Sequence, residues 1–162
     1  VFFLRHPGAC AVTLWCIVRN SPSWRLFYYK FMNLFLHHNA KYQKAQRYPK
    51  AILDQGYFQN VLSVFERPLT LAELRRYLRF LKLPDTLIVL AVPRSVMERR
   101  LEGRWLPRQK FGSAYFKQWQ DVAEANYKLL MAHIAKFGIR YAVVDASRGP
   151  DEVCKEVLRI LQ

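Results

Sequence analysis

The 162-residue chain has no apolar run approaching the ~20 residues that carry a helix across a bilayer. Its best candidate, Ala9 to Val18, spans ten residues, contains Thr13 and is flanked by Arg5 and Arg19. No small-residue cleavage site stands out, so neither a transmembrane segment nor a secretory leader is predicted. Cysteine is scarce. Cys10, Cys16 and Cys154 cannot all pair, and none forms a C-x-x-C arrangement. A disulfide framework is excluded, and buried thiols in a reducing, cytoplasmic compartment fit better. The histidines (His6, His37, His38, His133) show no metal-ligand spacing with the cysteines, so no structural zinc is expected. Acidic residues are few, 12 against 26 Lys and Arg. No internal repeat, linker or low-complexity segment interrupts the chain.

What is present argues for folding. The composition is 52% hydrophobic and 15% aromatic, far from a disordered segment. The length suits a single domain, residues 1–162, with a real core. The net charge is +14, and it is uneven. Residues 1–84 hold 13 Lys/Arg against 3 Asp/Glu, and residues 85–162 hold 13 against 9. Such an excess attracts nucleotides, nucleic acid or an acidic membrane without choosing among them.

Residues 24–46 carry Trp24, Phe27, Tyr28, Phe31, Leu34, Phe35 and His38 at three- and four-residue spacing. That spacing predicts an amphipathic helix packed through its aromatic stripe, with Ser21, Pro22 and Ser23 as a start signal. Lys50 to Asp54 reads as a short strand closed by Gln55 and Gly56. A helix over Tyr57–Phe65 follows. Thr70 is a good cap for a helix over Leu71–Phe80, with Glu73 at the capping-box position. Pro84 and Asp85 then break the chain. Thr86 to Val92 is continuously apolar, as in a strand buried on both faces of a parallel sheet. Helices are predicted over Pro93–Gly103 and Gly112–Phe137, with residues 104–112 a basic loop between them and Gly138 a C-cap. A third strand covers Ile139–Asp145, and Pro150 and Asp151 open a final helix to Leu161.

Strands alternating with helices predict an α/β fold with a parallel sheet. Ligands of such sheets gather beyond the carboxyl ends of the strands. Asp54, the Pro93–Arg94 pair and the Asp145–Ala146 pair all lie at such ends.

Three segments, AILDQGYFQ (51–59), PDTLIVLAVPRSVMERRLEGRW (84–105) and RYAVVDASRGPDEVCKEVLRIL (140–161), occur in that order. Together they resemble the P-loop nucleoside and nucleotide kinases, whose familiar members are thymidylate kinase and adenylate kinase. The likeness covers residues 46–162 and is most specific in the middle segment, with its buried strand, proline turn and R-R-x-x-G-R helix. It implies a three-layer parallel sheet flanked by helices, incomplete at its N-terminus. It also implies ATP-dependent phosphoryl transfer, with Mg²⁺, to a nucleotide, nucleoside or similar small acceptor.

The resemblance places Asp54 where a carboxylate meets acceptor and metal, as base or Mg²⁺ organiser. The next position, usually arginine, is the neutral Gln55 here. Arg100 and Arg104 match the arginines that open the family's lid, around residues 100–112, where guanidiniums stabilise charge on the moving phosphoryl group. Arg99, Arg108 and Lys110 are looser nucleotide-binding candidates. Ala146, Ser147, Arg148 and Gly149 match the turn that cradles adenine. Tyr57 and Gln59, with Gln55, are candidate acceptor contacts. Each also fits a plainer reading: a strand-ending turn at Asp54, a solvated basic face at Arg100 and Arg104, and an ordinary strand-to-helix turn at 146–149.

No G-x-x-x-x-G-K-[ST] string is present, although such a kinase needs one to hold its phosphates. One explanation is an N-terminally truncated chain in which residues 5–20 are helical. That would leave an unpaired gap in the sheet and a marginally stable fragment, inactive by itself. The other is that VFFLRHPGACAVTL is a decayed first strand and loop. Expected partners are small nucleotides, with no stable nucleic-acid partner, and a homodimer stays open. The rival readings are a kinase-like protein that binds nucleotide without turnover, and a basic protein on nucleic acid or an acidic membrane.

Overall fold

A computed structural model describes residue 4 and residues 6–54, 56–101 and 110–162. The chain divides into two compact units. Val1–Leu83 with Lys117–His133 form the first, and Pro84–Phe116 with Ile134–Gln162 form the second.

Every regular element described in the first unit is helical. Helix α1 covers Pro7–Arg19, with its proline in the first turn, where the missing N–H costs nothing. It stops at Asn20, whose backbone and side-chain N–H groups both donate to the Cys16 carbonyl. Residues 7–14 are therefore helix, not the strand and loop of the second explanation above. Helix α2 (Trp24–Lys30) starts at Ser23, whose hydroxyl accepts from the Leu26 N–H at 3.2 Å. It continues through a π-helical stretch, Phe31–Leu36, into α3 (His37–Ala45), as the predicted single helix requires.

The aromatic stripe behaves differently from the prediction. Trp24, Phe27, Phe31 and Phe35 stack in sequence, with ring centroids 5.0, 5.8 and 5.4 Å apart. Phe35 and His38 are buried, but Trp24 is 75% and Tyr28 57% exposed. The ladder runs from solvent into the core, so only its lower half packs as expected.

Helices α4 (Tyr57–Val64) and α5 (Leu71–Leu78) bury Tyr57, Phe58, Val61, Val64, Leu74, Tyr77 and Leu78. The start of α5 is the predicted capping box, with Thr70 and Glu73 satisfying each other's backbone N–H groups. Helix α7 (Ser113–His133) begins in the second unit and, from Lys117 on, belongs to the first. Its Asn126 side chain accepts from the Leu69 N–H at 2.8 Å and donates to the Arg67 carbonyl at 3.2 Å.

The predicted strand at Lys50–Asp54 is not there. These residues are turn and coil, and Ile52 is 72% exposed. Among the described residues no strand lies beside this run, and a short apolar run without a partner strand does not make a strand.

In the second unit β1 (Thr86–Ala91) pairs in parallel with β2 (Arg140–Asp145), from Thr86↔Arg140 to Ala91↔Asp145. The Ala146 N–H adds a rung by donating to the Ala91 carbonyl at 2.8 Å. Helix α6 (Arg94–Leu101) follows β1, and α8 (Pro150–Leu161) follows β2 and packs on it. A 3₁₀ turn, Ile134–Phe137, ends at Gly138, whose φ of +68° is the left-handed cap the sequence predicts.

The three-layer parallel sheet is overturned. Among the described residues the sheet has two strands, and the protein is mostly helical. The burial expected of β1 on both faces fails with it, since Leu90 is 57% and Val143 of β2 is 52% exposed. A strand with one neighbour is not enclosed as a central strand is.

Candidate functional site

A hydrogen-bonded polar turn of the second unit lies just past the carboxyl ends of β1 and β2. The Asp145 carboxylate accepts from the Ser147 hydroxyl at 2.6 Å and the Ser147 N–H at 2.9 Å. This closes a tight local turn, and the same two bonds hold its pKa below the usual carboxylate range. On α6, Arg100 donates from Nη1 to the Ala146 carbonyl at 2.7 Å. Its Nη2 donates to the Ser147 carbonyl at 3.2 Å and to that of Arg148 at 3.5 Å. On the other side Arg148 donates to the Asp145 carbonyl at 3.2 Å and pairs with Glu156 of α8. The turn is therefore clamped by α6 and α8 together.

The resemblance placed Arg100 at the transferring phosphoryl group and residues 146–149 at adenine, whereas the structure sets Arg100 on the 146–148 turn itself. What the sequence did not show is where the guanidinium's donors go. They hold backbone carbonyls, which makes Arg100 a positioning residue for the turn. Arg99 is exposed on α6, and Lys110 is exposed with its ammonium 5.2 Å from the centre of the Phe111 ring. Arg104, Arg108 and most of the predicted lid lie outside the described residues.

Comparison with family models, with curated proteins and with solved structures returned no match.

In the first unit, Asp54 is exposed in the turn before α4, and Gln55 lies outside the described residues. Tyr57 is buried, unlike a residue presented to an acceptor. Its hydroxyl donates to Asn39 Oδ1 at 2.8 Å, and its ring lies 5.5 Å from His38 and 5.4 Å from Tyr42. Gln59 is exposed on α4. His38 and Asn39 are contacts that sequence reading missed. The helical stripe marked His38 as packed, but nothing local shows that Gly56 and Tyr57 fold against it. Among the described residues no three His, Cys, Asp or Glu side chains come together to hold a metal.

Burial drives the His38 pKa down to about 4, and nearby Lys41 and His37 act in the same direction. The Gly56 carbonyl and Asp54 oppose them more weakly. A folded pKa below the unfolded one means that the unfolded chain binds the extra proton, so stability falls as pH drops through the unfolded value near 6.5. Between pH 7 and pH 5 this linkage is expected to remove about 2 kcal/mol. Urea midpoints across that range should fall for the native chain and much less for His38→Asn. A flat native profile would refute the linkage.

Proposed function

We propose that this chain carries the base-holding part of a nucleotide site in an ATP-dependent phosphotransferase, acting on a nucleotide, nucleoside or similar small acceptor. The observation that carries this reading is the Arg100 clamp on the 146–148 carbonyls, set at the carboxyl ends of two parallel strands. That is where parallel strands present ligands. It joins two of the segments that resemble the kinase group, and it does not depend on a three-layer sheet.

The clamp also states what it would recognise. The Ala146 and Ser147 N–H groups are already used, on Ala91 and Asp145. The three carbonyls each retain a second acceptor position. An acceptor-rich turn beside a flat guanidinium suits a ring that brings a donor, such as the exocyclic amine of adenine. Mg²⁺ would come with the nucleotide's own phosphates and would neutralise charge that develops there. Arg104 would face the transferring phosphoryl group, with Arg99, Arg108 and Lys110 alongside.

Calorimetric titration with ATP and with inosine triphosphate, which lacks the amine, tests the reading. ATP should bind more tightly, and Arg100→Gln should weaken it on the order of tenfold. Turnover against a panel of nucleosides and nucleotides then identifies the acceptor. Absence of ATP binding, or equal affinity for both triphosphates in both proteins, would end this assignment. One observation favours a second reading, a basic surface-binding protein. Trp15, Trp24 and Tyr28 are exposed in the more basic half of the chain. Steeply salt-dependent binding to nucleic acid or anionic vesicles, without nucleotide binding, would support it.

A further inference from the structure

Residues 1–53 contain eight Lys or Arg and no Asp or Glu, so the first carboxylate of the chain is Asp54. One of the eight, Lys30, is buried against Glu66. Arg19 and Arg25 are exposed, and they bracket the turn that joins α1 to α2. That turn is closed at both ends. The Asn20 amide and the Ser21 hydroxyl donate to the Cys16 and Ile17 carbonyls at 2.8 and 2.6 Å, and Ser23 caps α2.

Each helix shows solvent an apolar stripe besides the one it buries. Helix α1 buries Cys10, Thr13 and Ile17, yet it exposes Ala11, Trp15 and Val18 at four- and three-residue spacing. Helix α2 buries Leu26, yet it exposes Trp24 and Tyr28, and Met32 continues the spacing in the π-helical stretch. Apolar surface left in water is unfavourable, so a cluster of such residues marks a face that something else covers. Trp24 is also held in place. Its ring stacks on Phe27, the next step of the ladder that ends at buried Phe35. The core thus props an indole out beside the turn.

Nucleic acid and an acidic bilayer would both answer the charge, and the side chains distinguish them. Bases stack on ring faces. One face of Trp24 is taken by Phe27, and Val18 and Met32 offer no ring. A bilayer interface uses both kinds of side chain. Trp and Tyr settle at the level of the headgroups, aliphatic side chains reach the acyl boundary, and guanidiniums meet anionic headgroups.

We infer that the α1–α2 turn docks on an anionic lipid surface, with Trp24 and Val18 entering the headgroup layer and Arg19 and Arg25 on the headgroup charges. This docking rests on the basic-surface reading and names its partner, and it leaves nucleotide binding at the Arg100 clamp a separate matter.

Sedimentation of the full chain with vesicles tests it. Vesicles of phosphatidylcholine with about one-third phosphatidylserine should bind the chain, added salt should weaken that binding, and pure phosphatidylcholine should bind at least about tenfold more weakly. Variants whose circular dichroism matches the native chain are then compared. Trp24→Ala should weaken binding about tenfold and Trp24→Phe much less, while Arg19→Gln and Arg25→Gln should each cost about fivefold. Lys128→Gln and Tyr141→Ala, exposed substitutions on other elements, should leave binding unchanged. Brominated lipid should quench the tryptophan emission of the native chain more than that of Trp24→Phe. The docking is overturned if the anionic vesicles do not bind at low salt, or if Trp24→Ala and both arginine variants bind as the native chain does. If the chain binds an oligonucleotide and no vesicle, the docking falls while the basic-surface reading stands with nucleic acid as its partner. If it binds neither, both fall.

Discussion

Lys30→Ala should destabilise the chain by about 3–5 kcal/mol, the cost typical of removing one partner of a buried, hydrogen-bonded ion pair. The Lys30 side chain is fully buried. Its ammonium donates to the Asn20 carbonyl at 2.5 Å and to the Val64 carbonyl at 2.7 Å, and it meets Glu66 Oε1 at 2.5 Å. One cation thus serves the ends of α1 and α4, where helices leave carbonyls without an intrahelical partner. Alanine would remove the donor to both carbonyls and the counter-charge of a carboxylate that is only 18% exposed. It would also leave a cavity where the stem was. Lys30→Met separates these effects, since it restores most of the volume and none of the hydrogen bonds. It should recover part of the loss. Glu66→Gln should cost less, because Lys30 keeps both carbonyls. Urea midpoints of the three variants check the order. Equal midpoints for Lys30→Ala and Glu66→Gln would show that the carbonyl contacts contribute nothing.

Lys30 also shows where sequence reading stopped. Between Phe27 and Phe31 it reads as a solvated charge on an amphipathic helix. Carbonyls ten and 34 positions away in sequence, together with Glu66, make it a core residue. Helices were legible because their signals are local. The aromatic spacing over 24–46, the Thr70–Glu73 pair, Gly138 and Pro150 each act within a turn or two of where they stand. Sheet extent was not legible, because a strand's identity depends on a partner elsewhere in the chain. Thr86–Ala91 found Arg140–Asp145, while Lys50–Asp54, similar in length, has no partner strand among the described residues.

The site divides along the same line. Arg100 and the 146–149 turn were marked by resemblance, and they touch. The direction of the bonds, guanidinium onto carbonyls, depends on the packing of α6 over a turn 46 residues later. The turn between α1 and α2 was half legible: Ser21, Pro22 and Ser23 marked a helix start, but the aromatic stripe read as core, and only the fold shows Trp24 held out at its end.

Asn126→Ala is the other substitution expected to have a large effect, about 3 kcal/mol, since it leaves the buried Leu69 N–H unpaired and takes the donor from the part-buried Arg67 carbonyl. Asn126 is 1% exposed, and both ends of its amide are used, the oxygen on the Leu69 N–H and the nitrogen on the Arg67 carbonyl. The segment between α4 and α5 has no regular ladder of its own. An amide from α7, 57 residues later in the chain, supplies the missing partners. Asn126→Asp keeps the acceptor for Leu69 but sets a carboxylate oxygen against the Arg67 carbonyl. Two acceptors then face each other in a buried site, so aspartate should be no better tolerated than alanine despite its matching shape. Hydrogen exchange provides the local reading. The Leu69 amide should be well protected in the native chain and should exchange much faster than its α5 neighbours in Asn126→Ala. Should that amide stay as slow as before, its proton has another acceptor, and the stabilisation assigned to Asn126 would have to come from packing alone.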